Sequence, residues 1–298
     1  MISPSIALLV FGASLPAGPA LAAPGSSSWV HAPAAAALAD VCEDCGKGKI
    51  CKAHRAHDKE VIDRLEPDLE SEDVEVRMRA LREVAALARE HENAPSKEAA
   101  EVLAAALEDD KLVVQREAFR LLADRQHPET AVTAYVERLK WFKGHMWTLV
   151  ADMTGPNQEH GDAGAAMDVL ETAVGVGQGL RDDRVVDALA GLLNAFPNEM
   201  KGEPVALSAC RALLYLGTKD AAESVIKQFD SQMDDSKRRQ IHFALKTFAN
   251  RLEIEETPEY GENAQSEWTA WLRKNQRSLP KKLGKWTGPP SEDDESPR

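Results

Sequence analysis

The chain has 298 residues, with 36 Lys plus Arg against 49 Asp plus Glu and 43% apolar residues, enough to bury a sizeable core. A formal net charge of −13 argues against a nucleic-acid backbone or an anionic membrane as the main partner, because phosphate binding needs a clustered cationic face. Ile, Thr and Tyr are sparse beside abundant Ala, Leu, Glu and Arg, so intrinsic preference favours helix over sheet.

Residues 1 to 39 carry no Asp, Glu, Lys or Arg, and all such charge falls from Asp40 onward. Within this stretch, the apolar run Ile6 to Phe11 is followed by Pro16, Pro19 and then Ala20-Leu21-Ala22 before Ala23. This order resembles a secretory signal with an A-x-A cleavage site. The run is too short, and too broken by proline, to remain as a membrane span of about 20 residues. The expectation is therefore a signal peptide over 1–22, a low-complexity leader over 23–39, and an exported mature chain, periplasmic or extracellular, with no integral membrane span.

The next segment, 40–57, holds the strongest chemical signal. Cys42, Cys45, Cys51 and His54 form a C-x2-C-x5-C-x2-H array. Two thiolates two residues apart can grip one tetrahedral ion from a tight turn, and Gly46 directly after the second permits the backbone to fold around sulfur. Cys51 and His54 would complete a Cys3His set for a structural metal, most simply Zn. Lys47, Lys49, Lys52 and Arg55 would offset the thiolate charge, and His57 is an alternative fourth ligand. Disulfide pairing competes, since an exported chain with four Cys has three connectivities. Cys210, however, lies in a helical pattern where a buried apolar thiol is expected. A redox centre is disfavoured by Glu43 and Asp44, which raise rather than lower a thiol pKa.

From residue 58 to 252 the sequence repeats. An offset of 38 superposes Leu69, Val76, Ala80 and Arg82 on Leu107, Val114, Ala118 and Arg120. An offset of 91 carries Ala118 to Ala209 and Leu122 to Leu213, and a further 35 carries Ala209 to Ala244. In one copy Ala99, Val102, Leu103, Ala106 and Leu107 recur at helical spacing. Glu108-Asp109-Asp110 then makes a turn, and Val114, Ala118, Leu121 and Leu122 form a second stripe. Each copy is thus a helix hairpin whose small residue allows close approach of its two helices. Such a hairpin cannot bury its apolar face alone, so neighbours must stack. The stretch Trp141 to Leu180 departs from the period. Its Gly- and Pro-rich centre, Thr154 to Gly164, reads as a long loop in an irregular repeat, with Trp141, Phe142 and Trp147 more suited to core than to a ligand contact.

The pattern Val76-Arg77 followed by Ala80, and the run Arg211 to Gly217 followed by Ala221-Ala222 and Val225, resemble HEAT repeats. The resemblance implies an all-α fold, an α-α superhelix of helical hairpins, and a long curved surface that binds another protein. It implies no chemistry: G-x-S-x-G, a phosphate loop and H-E-x-x-H are all missing.

Residues 253–287 form an acidic linker and a helix in which Trp268, Trp271 and Leu272 share a face, with Ser266 placed to cap its start. A Trp helix here suits a terminal cap over the last repeat. Residues 288–298, rich in Pro, Ser and acid, read as a disordered tail. The expected function is a non-enzymatic protein–protein scaffold with an unidentified partner, a cationic one suiting the acidic array. The alternative is a metal-dependent or redox-active envelope protein that uses Cys42 to His54 directly.

Overall fold

The computed structural model describes residues 51–90, 95–124, 126–154, 160–196, 204–229, 234–254 and 256–285. The leader, Cys42, Cys45 and the 288–298 tail lie outside the described residues. Among those residues every regular element is helical: eleven α-helices, one short 3₁₀ turn and no strand. The expected all-α class is what the chain adopts.

The helices are α1 Lys52–Leu69, α2 Val74–Glu90, α3 Lys97–Ala105, α4 Leu112–Leu122, α5 Pro128–Thr154, α6 His160–Val176, α7 Asp183–Ala195, α8 Pro204–Leu216, α9 Lys219–Ile226, α10 Asp235–Arg251 and α11 Ala264–Asn275. Contacts sort them into two layers. Helices α1, α3, α5, α7, α9 and α11 touch in succession, as do α2, α4, α6, α8 and α10, and each layer packs on the other through the hairpins. This is a superhelical stack of hairpins with the core running between the layers.

Local chemistry starts the helices where it should. Ser96 accepts from Ala99 N at 3.2 Å, Asp182 from Arg184 N at 2.9 Å, Thr218 from Ala221 N at 3.1 Å, and Asp234 from Ser236 N at 2.7 Å. Each side chain satisfies an otherwise orphaned first-turn N–H, worth about 1 kcal/mol. At the far end of α8, Gly217 takes φ +78°, the left-handed position that closes a helix, and its N–H reaches Leu213 O.

The small residues of the repeat occupy the second layer as expected. Ala80, Ala118 and Ala209 are buried on α2, α4 and α8, while Ala244 on α10 is half-buried. Between copies, Arg77 Nη1 donates to Asp109 at 2.9 Å and Asp110 at 2.8 Å, and Arg82 Nε donates to Glu117 at 2.7 Å. The acidic turn ahead of α4 is therefore engaged by the preceding hairpin.

Among its described residues the Trp141–Leu180 stretch is helical almost throughout rather than a break in the array. Residues up to Thr154 continue α5, which runs for 27 residues, and Gly161, Gly164 and Gly175 lie inside α6. Together α5 and α6 make the third hairpin. Their apolar residues (Tyr135, Leu139, Phe142, Leu170) are fully buried, and that burial outweighs the glycine penalty of about 1 kcal/mol each. Tyr135 Oη donates to Ala173 O at 2.9 Å, tying the pair together.

At the carboxyl end α11 begins at Ala264, two residues before the expected cap. Ser266 does not cap it; its hydroxyl donates back to Asn263 O. Trp268, Trp271 and Leu272 are buried as anticipated. A strap follows, in which Pro280 O accepts from Lys219 N, Gly284 O accepts from Asp183 N at 3.2 Å, and Leu283 N donates to Asp183 Oδ1 at 2.8 Å. The chain thus doubles back over the starts of α9 and α7.

Candidate functional site

Cys51 sits at the N-cap of α1 in extended conformation, and its sulfur accepts from His54 N at 3.5 Å. One turn on, the His54 ring is buried, with Nδ1 3.5 Å from Cys51 Sγ. Two ligands of one tetrahedral ion, with bonds of about 2.3 Å to sulfur and about 2.05 Å to nitrogen, stand roughly 3.6 Å apart. The Cys51–His54 pair has that separation, so its geometry fits the group the sequence predicts. Cys42 and Cys45 lie outside the described residues, and among the described residues no cluster of three or more His, Cys, Asp or Glu is arranged to hold a metal. His57, the alternative ligand, is half-buried.

The same helix face holds a residue that sequence reasoning missed. Asp58, at i+4 from His54, is fully buried. Spacing could have found it, because i and i+4 on a helix stack on one face. A carboxylate one turn from a ligating imidazole is the usual means of fixing its orientation. The buried residues of α1 are His54, Asp58 and Leu65, so only one of the three is apolar. Val61, Ile62 and Leu69 add half-buried apolar contact with the core, so the polar pair lies toward the start of the helix and the apolar contact toward its end.

Elsewhere the anticipated aromatic cluster divides. Phe142 is buried in the core, whereas Trp141 is 40% exposed, stacked on His145 at 4.2 Å and covered by the Arg138 guanidinium at 4.1 Å. His145 Nδ1 donates to Trp141 O at 2.8 Å, so the structure ties it to its own helix. The side chains of Trp147, His160 and Asp162 are outside the described set. Cys210 is buried, and burial pushes its thiol up to about 12, which removes it as a nucleophile. Exposed aromatic surface appears instead at Tyr215 and Phe243, 54% and 71% exposed, on the second-layer helices α8 and α10.

No family model matches the chain, and no curated protein matches it. Among solved structures it is similar to an engineered protein, at 19% identity and a TM-score of 0.34, over 73% of this chain and 95% of that one. No described helix is long and apolar enough to cross a membrane.

Proposed function

We propose that the chain is an exported, non-enzymatic HEAT-like scaffold whose stacked hairpins bind another protein, and whose amino-terminal module holds a structural metal, Zn by its ligand set. The observation that carries the reading is the uninterrupted two-layer array, in which α5 and α6 fill the place of a loop. Its function then lies in shape: a long row of helices presents one extended surface. Tyr215 and Phe243 supply the kind of exposed aromatic anchors that interfaces use. Export is supported by the uncharged leader with its apolar run and A-x-A site.

The metal would be held by Cys42, Cys45, Cys51 and His54, with Asp58 orienting the imidazole. Bound there, the ion would supply a closed coordination site that pins the start of α1, ahead of its apolar contacts at Val61, Ile62, Leu65 and Leu69. The test is metal content of the purified chain by mass spectrometry, where one Zn per chain is expected and Cys51→Ser should release it. A metal-free wild-type chain with α1 intact would overturn the assignment. Affinity capture from the cell envelope tests the scaffold itself: a stoichiometric protein partner is expected, and none would sink it.

A further inference from the structure

In the first layer, α1 and α3 make the sparsest contact of any successive pair, and a cleft of about 400 Å³ opens between them. Leu81 of α2 lies at its base, with Ile62 and Leu69 on the α1 side and Val102 and Ala105 on the α3 side. Apolar side chains thus line part of the cleft, beside charged ones.

Its surroundings are anionic. Asp63, Glu66 and Glu70 follow one another at i, i+3 and i+7 along the cleft side of α1, and Glu108 faces them from the 3₁₀ turn Ala106–Glu108. All four are exposed, and none forms an ion pair with a described residue, although Glu108 lies close enough to feel the charge of Arg138. Arg77, the lining cation, already lies between Asp109 and Asp110 at 2.9 and 2.8 Å. Backbone electrostatics add to this. The last turns of α1 and α3 both border the cleft, and neither contains a basic residue to offset the negative end of its helix dipole.

We propose that this cleft docks a cationic, partly apolar peptide segment of a partner protein. An apolar side chain would sit over Leu81, between Ile62 and Val102, while Lys or Arg side chains meet Asp63, Glu66, Glu70 and Glu108. The assignment rests on the scaffold reading above and names where, and by what chemistry, that scaffold takes its partner. An anionic ligand would meet repulsion on both sides of the cleft. A hydrated metal ion would gain nothing from the apolar base. A segment with both characters uses the whole cleft, and its affinity falls as salt screens the exposed carboxylates.

The test uses the full chain and a fluorescent amphipathic Lys/Leu peptide, compared with oligolysine of equal charge and with the Glu/Leu counterpart. Saturable one-to-one binding of the Lys/Leu probe is expected, with oligolysine weaker and the Glu/Leu peptide inert. The combined variant Asp63→Asn, Glu66→Gln, Glu70→Gln, whose changes are all at exposed positions, should retain its helical circular dichroism and bind the Lys/Leu probe about tenfold more weakly. Unchanged affinity in that variant, or oligolysine binding as tightly as the Lys/Leu probe, would overturn the proposal, the latter by revealing diffuse attraction to an acidic chain. The same variant then serves as bait beside wild type in envelope capture. A partner held by wild type and lost by the variant supports the cleft. One held equally by both sinks the cleft and leaves the scaffold reading standing. If wild type captures nothing, the scaffold reading fails and the peptide titration alone decides the cleft.

Discussion

The two ends of the array solve one problem by opposite means. A stack of hairpins exposes core at each terminus, and that surface must be covered. At the carboxyl end the cover is aromatic. Trp268 and Trp271 pack edge-to-face at 5.2 Å, Trp268 Nε1 donates to His242 Nδ1 at 3.0 Å, and Trp271 Nε1 donates to Glu256 O at 2.8 Å. The strap then fastens the cap to α7 and α9. At the amino end, α1 brings His54 and Asp58 inward and leaves a cleft against α3. Aromatic packing covers the carboxyl end, while the start of α1 carries two buried polar groups, His54 and Asp58, ahead of its apolar contacts.

Removing the proposed metal gives the largest expected effect. With chelator, or in Cys51→Ser, the first turns of α1 should lose their hydrogen-exchange protection, while the fluorescence of the buried carboxyl-terminal Trp residues stays native. Simultaneous loss of both signals would show that the ends are not independent. The next largest effect belongs to Trp268→Ala, which removes a fully buried indole and the donor to His242. A loss of about 3–5 kcal/mol in urea unfolding is expected, with exchange protection falling first in α10 and α11. Protection lost first in α1 would show that the two ends are not independent.

A third substitution tests the middle of the array, which belongs to neither end. A Cβ at Gly177 would overlap the Tyr135 hydroxyl, which is fully buried and donates to Ala173 O. Gly177→Ala should cost about 1–3 kcal/mol, and Tyr135→Phe in the same chain should recover part of it. If the single variant is neutral, the α5–α6 hairpin is looser than its burial implies.

How far the sequence disclosed this division varies by element. Ala80, Ala118 and Ala209 marked second-layer helices correctly because small buried residues recur with the hairpin period. The α5–α6 hairpin escaped notice since Gly161, Gly164 and Gly175 lower helix propensity, and tertiary burial around Leu170 and Phe142 overrides it. The Cys51–His54 contact follows from a three-residue spacing at a helix start, so it was legible, as Asp58 could have been. The strap was not: its hold on Asp183 runs largely through backbone groups, which carry no residue-type signal. Nor was the cleft, which joins faces roughly 40 residues apart, a separation that periodicity within one helix cannot report.

The smallest expected effect is a pH dependence confined to the carboxyl end. His242 Nδ1 accepts from Trp268, and burial, followed by the positive charge of Lys246, lowers the ring's pKa, with Glu259 and Glu267 opposing. The ring edge also meets Tyr260, whose hydroxyl donates to Asp235. A proton on Nδ1 would meet the indole N–H donor head-on. Because the folded pKa is depressed, the unfolded chain binds the proton more readily. The contribution is therefore complete above the ordinary value of about 6.5 and is lost as pH falls from there through the folded pKa. Urea midpoints followed by Trp fluorescence should fall between pH 7.5 and 5.5 in wild type, and by less in His242→Gln, whose amide oxygen can accept without titrating. Equal slopes in the two proteins would assign the acid sensitivity to carboxylates elsewhere and leave the aromatic cap indifferent to pH.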